Sequence, residues 1–198
     1  MMKGKHLHED PGFAHYVLDK LNELIENAKK KHGLLFALYA TPAEGLCHKW
    51  AEKDRQAFGK IPGVTDKAYY TNSFHVDVRE HIPFDEKQEI ESELFHKSNG
   101  GHISYNEFPH GNNKKAYEQA INLAMRLGLY YGINKELDMC NTCGYAGEIN
   151  GECPNCGEKI KITRINRVCG YLGYETINGI TRYNEGKEEE VHNRVKHF

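Results

Sequence analysis

The sequence predicts a mixed α/β fold followed by a module with its own source of stability, and three observations carry that prediction. Helical and strand-like patterns alternate through residue 135, the signature of layered α/β architecture. Residues 34–40, LLFALYA, form a short continuous apolar run, readable as a strand buried on both faces. At Asp138 the composition turns Gly-, Cys- and Asn-rich, with no long amphipathic pattern before a charged tail.

The elements follow in order. Residues 12–30 place Phe13, Val17, Leu21, Leu24, Ile25 and Ala28 on one helical face, with Lys29, Lys30 and Lys31 in the last turn and Gly33 as the stop. After the apolar run, a second helix is expected at once. Residues 68–78, AYYTNSFHVDV, read as a strand or extended loop. Asp85 is a plausible N-cap for a helix bearing Ile90, Leu94 and Phe95, which Gly100 would end. HISYNEF suggests a further strand. The clearest helix has Tyr117, Ile121, Ala124, Leu127 and Tyr131 in register.

Length and composition fit a soluble globular protein: 198 residues, 39% hydrophobic and 27% charged. No window approaches the ~18 consecutive apolar residues of a spanning helix, and no secretory leader is visible, so the expectation is a cytoplasmic protein without a membrane partner. A formal net charge of -2 with interleaved signs gives no footprint for a nucleic-acid binder.

In a reducing compartment, clustered cysteines point to metal rather than to disulfides. Cys140-x-x-Cys143 and Cys153-x-x-Cys156 form two matched pairs, each followed by a glycine, Gly144 and Gly157. Four thiolates in tetrahedral array suit zinc, although iron can occupy the same geometry. A closed shell of four ligands leaves no open position, so the ion would be a structural staple. Cys47 reads as a small buried apolar residue.

Two further segments carry chemical interest. Thr41-Pro42-Ala43-Glu44 is a capping box with proline at the first helical position. It reads locally as a well-capped helix, or as a helix terminus able to hold a phosphate. RVCGYLG, residues 167–173, sets Gly170 and Gly173 around an apolar stretch. Read alone it is a glycine turn in a packed strand. Yet glycine is also the one residue whose Cα radical can become planar without a side chain in the way, delocalising onto the flanking amides.

RVCGYLG, the tail TRYNEGKEEEVHNRVKHF and the four cysteines upstream together resemble the C-terminus of the anaerobic (class III) ribonucleotide reductases, which are glycyl radical enzymes. LLFALYATPAEG, YYTNSFHVDV and SNGGHISYNEF extend the resemblance over essentially the whole chain. It implies the C-terminal part of a ten-stranded α/β barrel in residues 1–137, a four-cysteine zinc ribbon in 138–163, and a glycyl radical loop and tail in 164–198. Gly170 would be the radical site, generated by an S-adenosylmethionine and iron–sulfur activating enzyme. Cys140, Cys143, Cys153 and Cys156 would bind zinc, and Thr41, Pro42, Ala43, Glu44 and Gly45 would hold the substrate phosphate.

The same resemblance implies ribonucleoside triphosphates as substrate, formate as reductant and a homodimeric holoenzyme. Family members are several times longer, and their thiyl cysteine precedes the matched region; neither Cys47 nor Cys169 aligns with it. The chain would therefore need an N-terminal reductase portion and be inactive alone. Two other readings stay open: a spare part that repairs oxygen-cleaved enzyme, and a non-catalytic zinc-ribbon binding module.

Overall fold

The computed structural model describes residues 5–40, 42–43, 45–109, 111, 113–168 and 170–197. A 3-10 turn at Leu7–Glu9 leads into helix α1, Pro11–His32. Asp10 caps α1 by accepting from the Phe13 N–H at 3.3 Å, and Gly33 ends it in the left-handed conformation. The buried face of α1 is not the one its apolar spacing suggests. Ala14 and Leu18 pack against Leu94 and Phe95, while Phe13, Val17, Leu21 and Leu24 face outward.

The apolar run departs furthest from expectation. Residues 34–38 have no regular structure, and Leu35 is 97% exposed. The segment is held at its end, by a parallel bridge from Tyr39 to Gly101, by Gly100 N–H to Leu38 O at 2.6 Å and by Leu38 N–H to Asn99 Oδ1 at 2.9 Å, and Leu38 packs on the buried cluster. Its side chains keep strand-like apolarity, but among the described residues no strand flanks them.

Helix α2, Leu46–Phe58, starts later than the capping box implies; Gly45 is its cap residue and no side chain caps it. Residues 68–78 are turns rather than a strand. Helix α3, Phe84–Phe95, has Pro83 at the cap position, and Asp85 sits inside its first turn. Its buried face is largely polar, with Lys87, Gln88, Glu91 and Ser92 beside Leu94 and Phe95. The helix ends at Phe95, well before Gly100.

Strand β1, Ser104–Glu107, helix α4, Lys114–Arg126, and strand β2, Tyr131–Asn134, make a βαβ unit whose strands pair in parallel. All four residues of β1 are buried although three are polar. The second sheet is antiparallel in the order β3 (Leu137–Cys140), β4 (Ile162–Arg167), β5 (Leu172–Ile177), β6 (Ile180–Thr181). Strand β4 runs across residue 163, where the sequence suggested a boundary, so the cysteine cluster and the glycine loop share one sheet. Helix α5, Glu185–His192, packs on α2. The described residues thus form a mixed α/β segment with two small sheets, not a closed barrel. No helix among them is long and apolar enough to cross a membrane.

Candidate functional site

The four cysteines converge as their spacing requires. Strand β3 delivers Cys140, and the Gly144 N–H donates to Cys140 O at 2.9 Å, closing the first turn. Gly157 N–H closes the second turn on Cys153 O at 2.8 Å. Both glycines sit at positive φ, 75° and 74°, which a residue with a Cβ adopts only under strain. The four Sγ atoms lie within 4.8 Å of one another, with Cys140–Cys156 and Cys143–Cys153 each at 3.6 Å.

Zinc–thiolate bonds of about 2.3 Å in a tetrahedron put sulfurs about 3.8 Å apart, so geometry and donor set both fit a zinc ion. The surrounding core is small: Ile149 and Ile162 with Cys140 and Cys153, and Tyr145 against them. The buried Asp138 adds a polar strut, accepting from Ile149 N–H at 3.0 Å and pairing with Arg164 at 3.4 Å. An ion held by all four thiolates would supply what this core lacks.

Gly170 lies at the tip of the hairpin joining β4 to β5. The strands pair up to Arg167 with Leu172, and Val168 N–H then donates to Tyr171 O at 2.9 Å. Cys169 lies outside the described residues. Gly170 is exposed, and a Cβ built on it would stand 3.0 Å from Pro42 Cγ. The tip therefore faces Pro42. Gly173 is a strand residue inside β5 rather than a bend: a Cβ there would meet Val168 Cγ2 at 2.7 Å, so its smallness makes room for the Val168 side chain.

Of the expected phosphate turn, Thr41 and Glu44 lie outside the described residues. Pro42 has no N–H, and the Ala43 N–H donates to Asn72 Oδ1 at 2.9 Å. Asn72 thereby fixes the chain right after Pro42, the residue Gly170 faces. Gly45 precedes α2, and Asn184 of the tail reaches within 3.0 Å of where its Cβ would be.

Beneath the hairpin lies a buried polar network that sequence reasoning missed. The Arg167 guanidinium stacks over the Tyr105 ring at 4.2 Å and donates to Glu107 Oε1 at 2.5 Å. Asn134 donates to Glu107 and, at 3.0 Å, to Asn166 Oδ1; Asn166 in turn donates to Glu175 at 3.2 Å. Burial alone would raise the Glu107 pKa, but the charges of Arg167 and Arg194 outweigh it and hold the carboxyl well below the usual range. The one signal in the sequence is Glu107, which a period-2 strand sets on the same face as Ile103 and Tyr105.

Fold and site define a class: a mixed α/β segment in which a four-thiolate cluster and a glycine-tipped hairpin share a sheet. The family model for anaerobic ribonucleoside-triphosphate reductase matches residues 1–197, and the chain belongs to that family. It is 40% identical over 193 residues to the anaerobic ribonucleoside-triphosphate reductase of Escherichia coli K12, covering 92% of this chain and 26% of the relative. The corresponding protein of enterobacteria phage T4 is 41% identical over 189 residues, covering 91% of this chain and 31% of the relative.

Among solved structures, an anaerobic ribonucleotide reductase superposes with a TM-score of 0.71 at 23% identity, over 96% of this chain and 29% of that one. The Thermotoga maritima anaerobic ribonucleotide reductase with glycerol in its active site gives 0.66 at 24% identity, over 84% and 26%. The chain thus spans between a quarter and a third of the length of these relatives.

Proposed function

We propose that this chain is the C-terminal, radical-bearing portion of an anaerobic ribonucleotide reductase, with Gly170 as the radical residue. The observation that carries this reading is the hairpin tip: an exposed glycine, facing Pro42, in a chain matched to the family along its length. An activating enzyme using S-adenosylmethionine and an iron–sulfur cluster would remove one hydrogen atom from the Gly170 Cα. The radical left there is spread over the adjoining amide nitrogen and carbonyl.

The N-terminal portion would bring a cysteine to the tip. Hydrogen-atom transfer from its S–H to Gly170 forms a C–H bond and leaves a thiyl, which takes the ribose 3′ hydrogen and starts loss of the 2′ hydroxyl. Formate is the reductant, and the substrate is a ribonucleoside triphosphate whose phosphates sit at Thr41–Gly45. Ala43 would have to share its N–H with Asn72 or release it. The chain's own contribution is to hold the glycine at a fixed place, with zinc on Cys140, Cys143, Cys153 and Cys156 stiffening the base of the same sheet. The holoenzyme would be a cytoplasmic homodimer.

The test is anaerobic incubation with the activating enzyme, followed by electron paramagnetic resonance. A glycyl doublet is expected from the parent chain and none from Gly170→Ala. A doublet that survives Gly170→Ala refutes the assignment.

A further inference from the structure

We infer that Arg194 is a positioning residue for the radical loop, clamping the hairpin from the tail side; this rests on the reading of Gly170 above. Its side chain is only 2% exposed and, among the described residues, makes at least four hydrogen bonds. Nη2 donates to the main-chain carbonyl of Val168 at 3.3 Å, two residues before Gly170. Nη1 donates to Asn166 Oδ1 at 3.3 Å. Nε and Nη2 donate to the Glu190 carboxylate at 3.1 and 3.0 Å, and Nε lies 3.9 Å from Glu107.

The Val168 contact distinguishes a clamp from a generic buried ion pair. The Val168 N–H bonds across the hairpin to Tyr171 O, while its carbonyl is held by Arg194. Both main-chain groups of the residue at the loop root are therefore fixed, one across the hairpin and one to the tail. The tail that carries Arg194 is itself anchored just beyond it. Val195 N–H donates to Val78 O at 2.8 Å, His197 N–H to Glu107 O at 2.7 Å, and Glu107 N–H to His197 Nδ1 at 2.9 Å.

Arg194 thus ties β4, β1 and the tail to one point below the tip. The planar guanidinium makes these four bonds in fixed directions, whereas an ammonium has three donors on a flexible stem and cannot make all four. Transfer of a hydrogen atom between the tip and an incoming thiol depends steeply on the distance held, so the fork acts on the reaction without touching the reacting atoms.

The experiment compares Arg194→Lys and Arg194→Met with the parent chain in two measurements. In the first, hydrogen–deuterium exchange is followed on the chain alone. Faster exchange at Val168 and the amides of residues 170–173, with the β3–β4 ladder and bound metal unchanged, supports the clamp. Uniformly faster exchange, or none, overturns it. In the second, the variants are combined with the remaining reductase and activated. The glycyl doublet should form, while kcat falls roughly tenfold or more and the nucleotide KM stays within about twofold for Arg194→Lys.

A kcat equal to the parent's would overturn the inference, as would an equal loss in Glu190→Gln, which spares the Val168 contact. Absence of the doublet from the parent itself would instead count against Gly170, leaving the exchange result to decide on Arg194.

Discussion

The cysteine module and the helical half of this chain solve the problem of a small core in opposite ways. Around residues 137–181 the sheet and two knuckle turns bring four thiolates to one point, where a bound ion would supply what the small core lacks. Among the described residues of 5–134 the buried apolar cluster is Ala14, Leu18, Leu94 and Phe95 with Leu38 and a few others against it, while Leu34, Leu35, Phe36, Tyr39 and one face of α1 point outward. On the proposed reading the two regions draw stability differently: one from an ion at its own centre, the other in part from surfaces that the remaining reductase would bring.

The largest break in that comparison should come from the metal. Chelation under reducing conditions, or Cys153→Ser, is expected to remove on the order of 10 kcal/mol from the module. Metal content and protection from hydrogen exchange over 137–181 should collapse while α1 and α4 keep their helical circular dichroism. A single transition that takes α1 with it would erase the distinction. Next, Leu94→Ala in the helical cluster should cost about 2–5 kcal/mol, read as a lowered urea midpoint with zinc still bound.

A pH effect of similar or smaller size should arise at the seam between the halves. Burial, and then the charge of Lys87, push the His197 pKa down to about 4, with Glu107 and Glu91 opposing and Arg167 assisting. The folded chain keeps this ring neutral, so Nδ1 can accept from Glu107 N–H, whereas the unfolded chain protonates it near 6.5. Its contribution is complete above about pH 6.5 and declines toward pH 4, by on the order of 3 kcal/mol. Urea midpoints at pH 7.5 and 5.0 should differ, and His197→Asn should narrow the gap; an unchanged gap would remove His197 from the seam.

The smallest effect on the isolated chain should come from Leu35→Asp. Stability should move by less than about 0.5 kcal/mol, because Leu35 is exposed. Affinity for the rest of the reductase should nevertheless fall, by about tenfold if the side chain becomes buried there. Equal binding by parent and variant would show that this segment stays uncovered.

What could be read from the sequence follows the same divide. The cysteine site was legible because its ligands, turns and glycines lie within eighteen residues, Cys140 to Gly157, and each knuckle is a local structure. Helices α1 and α4 were legible from their spacing, though not which face of α1 would be covered. The 34–40 run was misread because apolar side chains announce a need for partners without saying whether the same chain provides them. The capping box failed to start α2, whose first residue is Leu46. The Glu107–Arg167–Arg194 network was out of reach, since its members are separated by 60 and 27 positions and each looks like an ordinary surface charge in its own stretch.

The interlocking of the tail has a consequence for damage. A chain severed at Gly170 would lose one covalent link, but residues 171–197 would stay sewn in by the β4–β5 pairing, by α5 on α2 and by the bonds of Val195 and His197. Such a nicked protein should co-migrate with the intact one on native chromatography and reveal its two pieces only in denaturant. A replacement part could not simply dock; it would have to unpick a strand and a helix first.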